Sequence, residues 1–222
     1  MKRLKSVDVP SIRCARVDRN AIIAAVLVTI VASGCGYLSF ARETVSFLKS
    51  ARSVRIRVRD KASQGAFRDI EIVCPDRVRV RAVTPAGRLE IVAVGENAFG
   101  RVDDGLWTTV PLATINAPGL CAGSAWKPRG KNLTTLVEEA TTNAEWIPKG
   151  SVRTVNGVAC QTWELRNWTD GNGPKPPAGS MCVGTSDGRL MELQVPEVTL
   201  TFADWNAAIA IDRPDRIKGE TH

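Results

Sequence analysis

Histidine is nearly missing from this chain: of 222 residues the only one is His222, the last. A Ser/His/Asp or Cys/His mechanism therefore has no base in the body of the sequence, and hydrolase triads are excluded. There is no P-loop or GxGxxG phosphate cradle, and no His/Asp/Glu grouping with the spacing of a metal site. Adjacent carboxylates occur at Asp103 with Asp104, in a turn signal, and at Glu138 with Glu139, on a helix pattern where neighbours point apart. A glycosidase pair would have to be assembled from distant strands. The expectation is a non-enzymatic protein that needs no cofactor. Tyrosine occurs once and phenylalanine five times, and hardly at all in the strand patterns, so nothing there stacks nucleic-acid bases.

Excess charge of one sign is scarcer than the formal +7 suggests. Residues 1–34 hold six Lys or Arg against two Asp, more than half of the surplus, and the placement is that of a cytoplasmic flank before an export signal. The uncharged stretch that follows, "AIIAAVLVTIVASGCGYLSF" (21–40), can be read in two ways. Twenty residues at 1.5 Å each span roughly 30 Å, enough for an uncleaved membrane anchor. Yet the densest apolar part, 21–32, has the length of a signal-peptide core and ends in Ala32, Ser33 and Gly34 directly before Cys35. This "VASGC" resembles a bacterial lipobox. The resemblance implies cleavage before Cys35, a diacylated Cys35 thiol and an acylated new amino terminus. The division is then a signal peptide over 1–34 and one domain over 35–222, exported and held at the cell envelope. Gly36 after the cysteine leaves an outer-membrane address open.

Beyond Cys14 in the leader and Cys35, four cysteines remain: Cys74, Cys121, Cys160 and Cys182. An even number in an oxidising compartment reads as two disulfides. No CxxC knuckle and no nearby histidine supports a zinc site instead. Three pairings are possible, and Cys74–Cys121 with Cys160–Cys182 joins nearest neighbours in sequence. A symmetric hairpin around "WTDGNGPKPPAG" would set Cys182 opposite Arg166, so the second pair needs an offset register.

The body reads as mainly β. "LSFARETVSFLKSAR" predicts an opening helix with Phe40, Val45 and Leu48 on one face. "SVRIRVRD" then alternates Val54, Ile56 and Val58 with Arg55, Arg57 and Arg59, the two-residue period of a half-buried strand. "AFRDIEIVC", "RVRVRAV", "RLEIVAVG", "AFGRV" and "LWTTV" follow, with turns at Pro75–Asp76 and Asp103–Gly105. Residues 111–150 are rich in Pro, Gly and Ala and hold one helix candidate, "NLTTLVEEATTNA", with Asn132 as its cap. They read as an insertion over the sheet. "SVRTV", "ACQTWELRNW", "SMCVGTS", "RLMELQV" and "VTLTFADW" complete about ten to eleven strands in sequential hairpins, an up-and-down antiparallel sheet that curls to avoid open edges.

Arginine rows at 55, 57, 59 and at 77, 79, 81 suggest a phosphate-binding plate. Asp69 and Glu71, alternating on the strand between them, favour cross-strand ion pairs on a solvated face. Strand alternation puts Val54, Ile56, Val58, Val78, Val80, Leu89, Ile91 and Ala93 on a common apolar face. Trp107 and Trp163 lie in strand patterns where they can line a cavity, while Trp126 and Trp146 flank the insert and can close it.

"CPDRVRV", "VGENAFGRVDDGLW", "VNGVACQTW" and "SDGRLMEL", in that order within residues 40–215, resemble the LolA/LppX-type lipoprotein-carrier superfamily. The resemblance implies an incomplete antiparallel barrel closed by helices around an apolar cavity that takes acyl chains of a lipid or a lipoprotein. The implied function is a membrane-tethered lipoprotein that binds or transfers a lipid or acylated cargo. The alternative, also implied by relatives, is an envelope sensor or assembly module that binds a protein partner through the curved sheet.

Overall fold

The computed structural model describes residues 31–60, 67–84, 87–115, 117–121, 132–135, 137–138, 145–166, 179–194 and 198–219. The leader through residue 30, Trp126, Trp168 and the loop 167–178 lie outside the described residues. The chain divides into two compact units, Met1–Gly36 and Tyr37–His222, and the second contains every strand.

Helix α1, Val31–Ser50, begins earlier than its apolar spacing indicated and includes Cys35. No described helix is long and apolar enough to cross a membrane. The strands are β1 (Ser53–Asp60), β2 (Phe67–Val73), β3 (Arg77–Thr84), β4 (Gly87–Val94), β5 (Asn97–Val102), β6 (Thr108–Val110), β7 (Glu145–Pro148), β8 (Arg153–Val155), β9 (Val158–Arg166), β10 (Gly179–Gly184), β11 (Leu190–Gln194) and β12 (Val198–Ala203). Twelve rather than ten or eleven form because Glu145–Pro148, at the end of the expected insertion, pairs with β9. Its terminal Pro148 hid it, since proline is confined to sheet edges and strand ends.

The sheet runs β6-β5-β4-β3-β2-β1-β12-β11-β10-β9-β7, with β8 also paired to β9. Sequential hairpins account for each half but not for the join. The first and last strands pair with each other at the centre, with Ile56 opposite Phe202 and Val58 opposite Leu200. The opening in the barrel therefore falls between β6 and β7, and the segment linking those two edge strands is the expected insertion. At Asn156 and Gly157 both φ angles are positive, 49° and 78°, the conformation that a two-residue hairpin requires.

Both disulfides pair nearest neighbours in sequence. Cys160 and Cys182 lie on adjacent strands with Cα atoms 5.5 Å apart, in a register that sets Cys182 opposite Thr162 and Cys160 opposite Gly184. Cys74 at the β2–β3 turn is bonded to Cys121, Cα to Cα 5.6 Å.

The outer face carries the arginine rows, and they are paired as cross-strand neighbours. Arg57 Nε lies 2.7 Å from Asp69, while Glu71 accepts from Arg55 at 3.1 Å and from Arg79 at 3.0 Å. On β4, Glu90 binds Arg101 at 2.6 Å and Arg81 at 3.2 Å. Burial opposes ionisation of Glu90, but hydrogen bonds from Arg101 and Arg81 outweigh it and hold the carboxyl below its ordinary range.

After β12 the chain continues as an irregular strap toward β5 and β6. Trp205 donates its indole N–H to the Leu190 carbonyl at 2.9 Å, and Ser53 Oγ donates to Ala207 at 2.7 Å. Arg77 donates to the Ile211 carbonyl at 3.0 Å. Arg213 lies over the Phe99 ring, and Ile217 bridges to Trp107. The closing "TFADWNAAIAIDRPD" has no helix or strand period beyond β12, so periodicity alone did not reveal a strap that buries Ile211 and Ile217.

Candidate functional site

The inner face of the sheet is a continuous apolar surface built by strand alternation. β1 contributes Val54, Ile56 and Val58, β3 Val78 and Val80, and β4 Ile91 and Ala93, all buried in one cluster. Leu89, one pleat further toward the strand ends, is half-buried against it. Ile70 and Ile72 of β2 and Phe202 of β12 fill the spaces between them. These last three lie in strand patterns identified from the sequence, and the two-residue period that found the others also finds them.

Two covers close this face. Helix α1 turns Phe40, Ala41, Thr44 and Leu48 inward, and the Thr44 hydroxyl is satisfied by the Phe40 carbonyl at 3.1 Å. The helix comes so close to the β10–β11 turn that a Cβ on Gly188, at φ +70°, would stand 3.0 Å from the Glu43 backbone carbon. The second cover is the segment between β6 and β7, which buries Ile115, Ala117, Leu120, Leu133 and Val137. Its helical residues 133–135 start at Asn132, whose side-chain oxygen accepts the Thr134 N–H at 2.9 Å, so the expected cap is in place. The segment is fastened by Cys74–Cys121, and Lys49 on α1 pairs with Glu138.

The tryptophans separate. Trp163 stacks on Phe40 with ring centroids 4.1 Å apart, joining sheet to helix, and Trp146 is buried in the same cluster. Trp107 is elsewhere. It precedes β6 rather than lying in it, and its ring lies under the Arg101 guanidinium on the charged side of the sheet. That position sets it apart from the apolar cluster formed by the other candidate lining residues.

Chemistry is sparse at the inner face. Among the described residues the buried polar side chains are Thr44, Ser53 and Glu71, of which only Thr44, on α1, is turned toward this face, and no group of three metal-binding side chains occurs. A depression of about 630 Å³ on the outer face is bordered by Arg55, Arg57, Arg59, Arg81, Asp69 and Glu71, a lining unsuited to an acyl chain.

No protein-family model and no curated protein sequence matches the chain. Solved structures do. The lipoprotein LppX from Mycobacterium tuberculosis is 14% identical, with a TM-score of 0.53 over 80% of this chain and 99% of that one. LprF from Mycobacterium bovis is 14% identical, with a TM-score of 0.59 over 81% and 97%. The chain shares the fold of LppX and LprF, in the described residues an open twelve-stranded antiparallel sheet with an N-terminal helix.

Proposed function

We propose that this protein is a membrane-tethered envelope lipoprotein that holds or hands over a lipid or acylated cargo between the inner face of its sheet and the two covers, with no covalent chemistry. The observation that carries this reading is the form of the interior. One apolar face spans β1 to β5 and β10 to β12, and it is closed by separable pieces, α1 and the disulfide-fastened segment, rather than by a second sheet. Parting a cover from the face would open an apolar space without breaking a strand pair, which is what uptake of an acyl chain requires. Val54, Ile56, Val58, Val78, Val80, Leu89, Ile91, Ala93 and Trp163 are the lining residues under this reading. The similarity to the lipoprotein LppX supports the fold on which it rests.

Residues 36–222, exported to a bacterial periplasm and purified without detergent, are expected to carry a stoichiometric lipid detectable by mass spectrometry after extraction. Only background lipid would sink the cargo reading and leave a protein partner as the better explanation of the fold. For the tether, Cys35→Ala in the full chain is expected to abolish incorporation of radiolabelled palmitate and leave the precursor uncut. Unchanged labelling would place the acyl group elsewhere than Cys35, and membrane retention of an unlabelled, full-length wild type would support the uncleaved anchor.

A further inference from the structure

Four of the five exposed large apolar side chains among the described residues gather in one place. Phe67 (40% exposed), Val83 (51%), Val102 (44%) and Leu106 (64%) lie at one end of the sheet, where β2 starts, β3 and β5 end and the β5–β6 turn begins, and Val152 lies apart, before β8. Pairing sets two adjacent rows at this same end of the sheet: Arg59 opposite Phe67 and Val83 opposite Arg88 on the outer side of the pleat, and Arg68 opposite Ala82 and Leu89 opposite Val102 on the inner side. A depression of about 620 Å³ runs along this rim between Phe67, Val83, Leu89 and Arg88.

The arginines at this end of the sheet behave differently from the rest. On β1 to β5, Arg55, Arg57, Arg77, Arg79, Arg81 and Arg101 each have a carboxylate within ion-pair distance. Arg59, Arg68 and Arg88 have none among the described residues, and all three lie at this end of the sheet. Four acids border the depression: Asp69 is paired with Arg57, Glu90 with Arg81 and Arg101, Asp103 accepts the Arg88 backbone N–H at 2.9 Å, and Asp104 lies beside it. A sheet that otherwise neutralises its arginines thus leaves three cations interleaved with four exposed apolar tips.

We infer that this rim docks on the surface of an anionic lipid bilayer, the apolar tips entering the headgroup layer while Arg59, Arg68 and Arg88 meet phosphate groups. Apolar tips alone would suit many surfaces. The cations select one that presents dense negative charge beside hydrocarbon, because an arginine stem can lie along acyl chains while its head contacts a headgroup. The inference goes beyond cargo binding, and rests on the membrane-tethered reading only for keeping the rim near a bilayer. Each arginine at such a surface strengthens docking about fivefold, so removing all three weakens it about a hundredfold.

The test is hydrogen exchange of the full chain reconstituted on vesicles of phosphatidylcholine, with and without phosphatidylglycerol. Co-sedimentation reports the tether. Exchange in peptides spanning 80–90 and 100–108 reports docking, so the two readings fail separately. The expected result is slower exchange at those two segments, about fivefold or more, only when phosphatidylglycerol is present. The difference should vanish in Arg59→Gln/Arg68→Gln/Arg88→Gln, and in Val83→Asp/Leu106→Asp. Unchanged exchange across 158–203 shows that each variant is folded. Equal exchange on both vesicle types, protection that survives the arginine changes, or protection that appears only when an envelope protein is added would each overturn the proposal.

Discussion

Replacing Cys74 and Cys121 together by alanine is expected to lower the free energy of unfolding by about 4 kcal/mol, the chain-entropy value for a cross-link closing a loop of this length. The bonded residues are 47 apart in sequence, and the loop they close includes β3 to β6 and the start of the second cover. The structural consequence is as specific as the energetic one. Cys121 is the last described residue before 122–131, and Ile115, Ala117 and Leu120 just before it are buried against the sheet. Without the bond these three side chains and the Leu133 N–H bond to Gly119 hold that part of the cover. Urea titration gives the loss of stability. Limited trypsin digestion is expected to cut the double variant first within 115–140, before the paired strands. A midpoint equal to that of the wild type would show that the bond constrains nothing the core does not already fix. Cutting throughout the sheet at the same rate would show that cover and sheet unfold as one unit.

Phe202→Ala is expected to cost about 4 kcal/mol, within the range for deleting a fully buried aromatic ring. The ring is fully buried, sits opposite Ile56 across the β1–β12 join and stacks against Trp205 at 5.6 Å. Its loss removes contacts from both meanders at the place where the two halves of the sheet meet. The Phe202 carbonyl also accepts from Asn156 Nδ2 at 3.0 Å, a bond that a side-chain truncation leaves in place. Phe202→Leu should recover part of the loss, since it refills much of the cavity with apolar atoms but forfeits the stacking on Trp205. A cost below about 1 kcal/mol for the alanine variant, measured by urea titration, would mean that the join is not a stability determinant.

Much of this architecture was legible because it is periodic. The two-residue alternation in "SVRIRVRD" and "RVRVRAV" placed Val54, Ile56, Val58, Val78 and Val80 on one face and the arginines on the other, and both assignments correspond to positions in the sheet. Turn chemistry found Asn156–Gly157, and acids alternating between basic rows foretold the ion pairs of Asp69 and Glu71. Where periodicity stops, so did the reading. Glu145–Pro148 is too short to show a period, and Trp107 sits at a bridge just outside the strand it was assigned to.

The amino-acid sequence by itself determined which side chains face inward and where most chain reversals occur, because backbone pleat and turn dihedrals are local properties. Only the tertiary structure decided that β1 pairs with β12, that the barrel opens between β6 and β7, and that the tail returns over Phe99 and Trp107. It alone gathered Phe67, Val83, Val102 and Leu106 at one end of the sheet with Arg59, Arg68 and Arg88, which have no carboxylate partner among the described residues. The reason is physical. Pairing of distant strands depends on side-chain complementarity summed over the whole interior against the entropy of closing long loops, and no local pattern carries that sum.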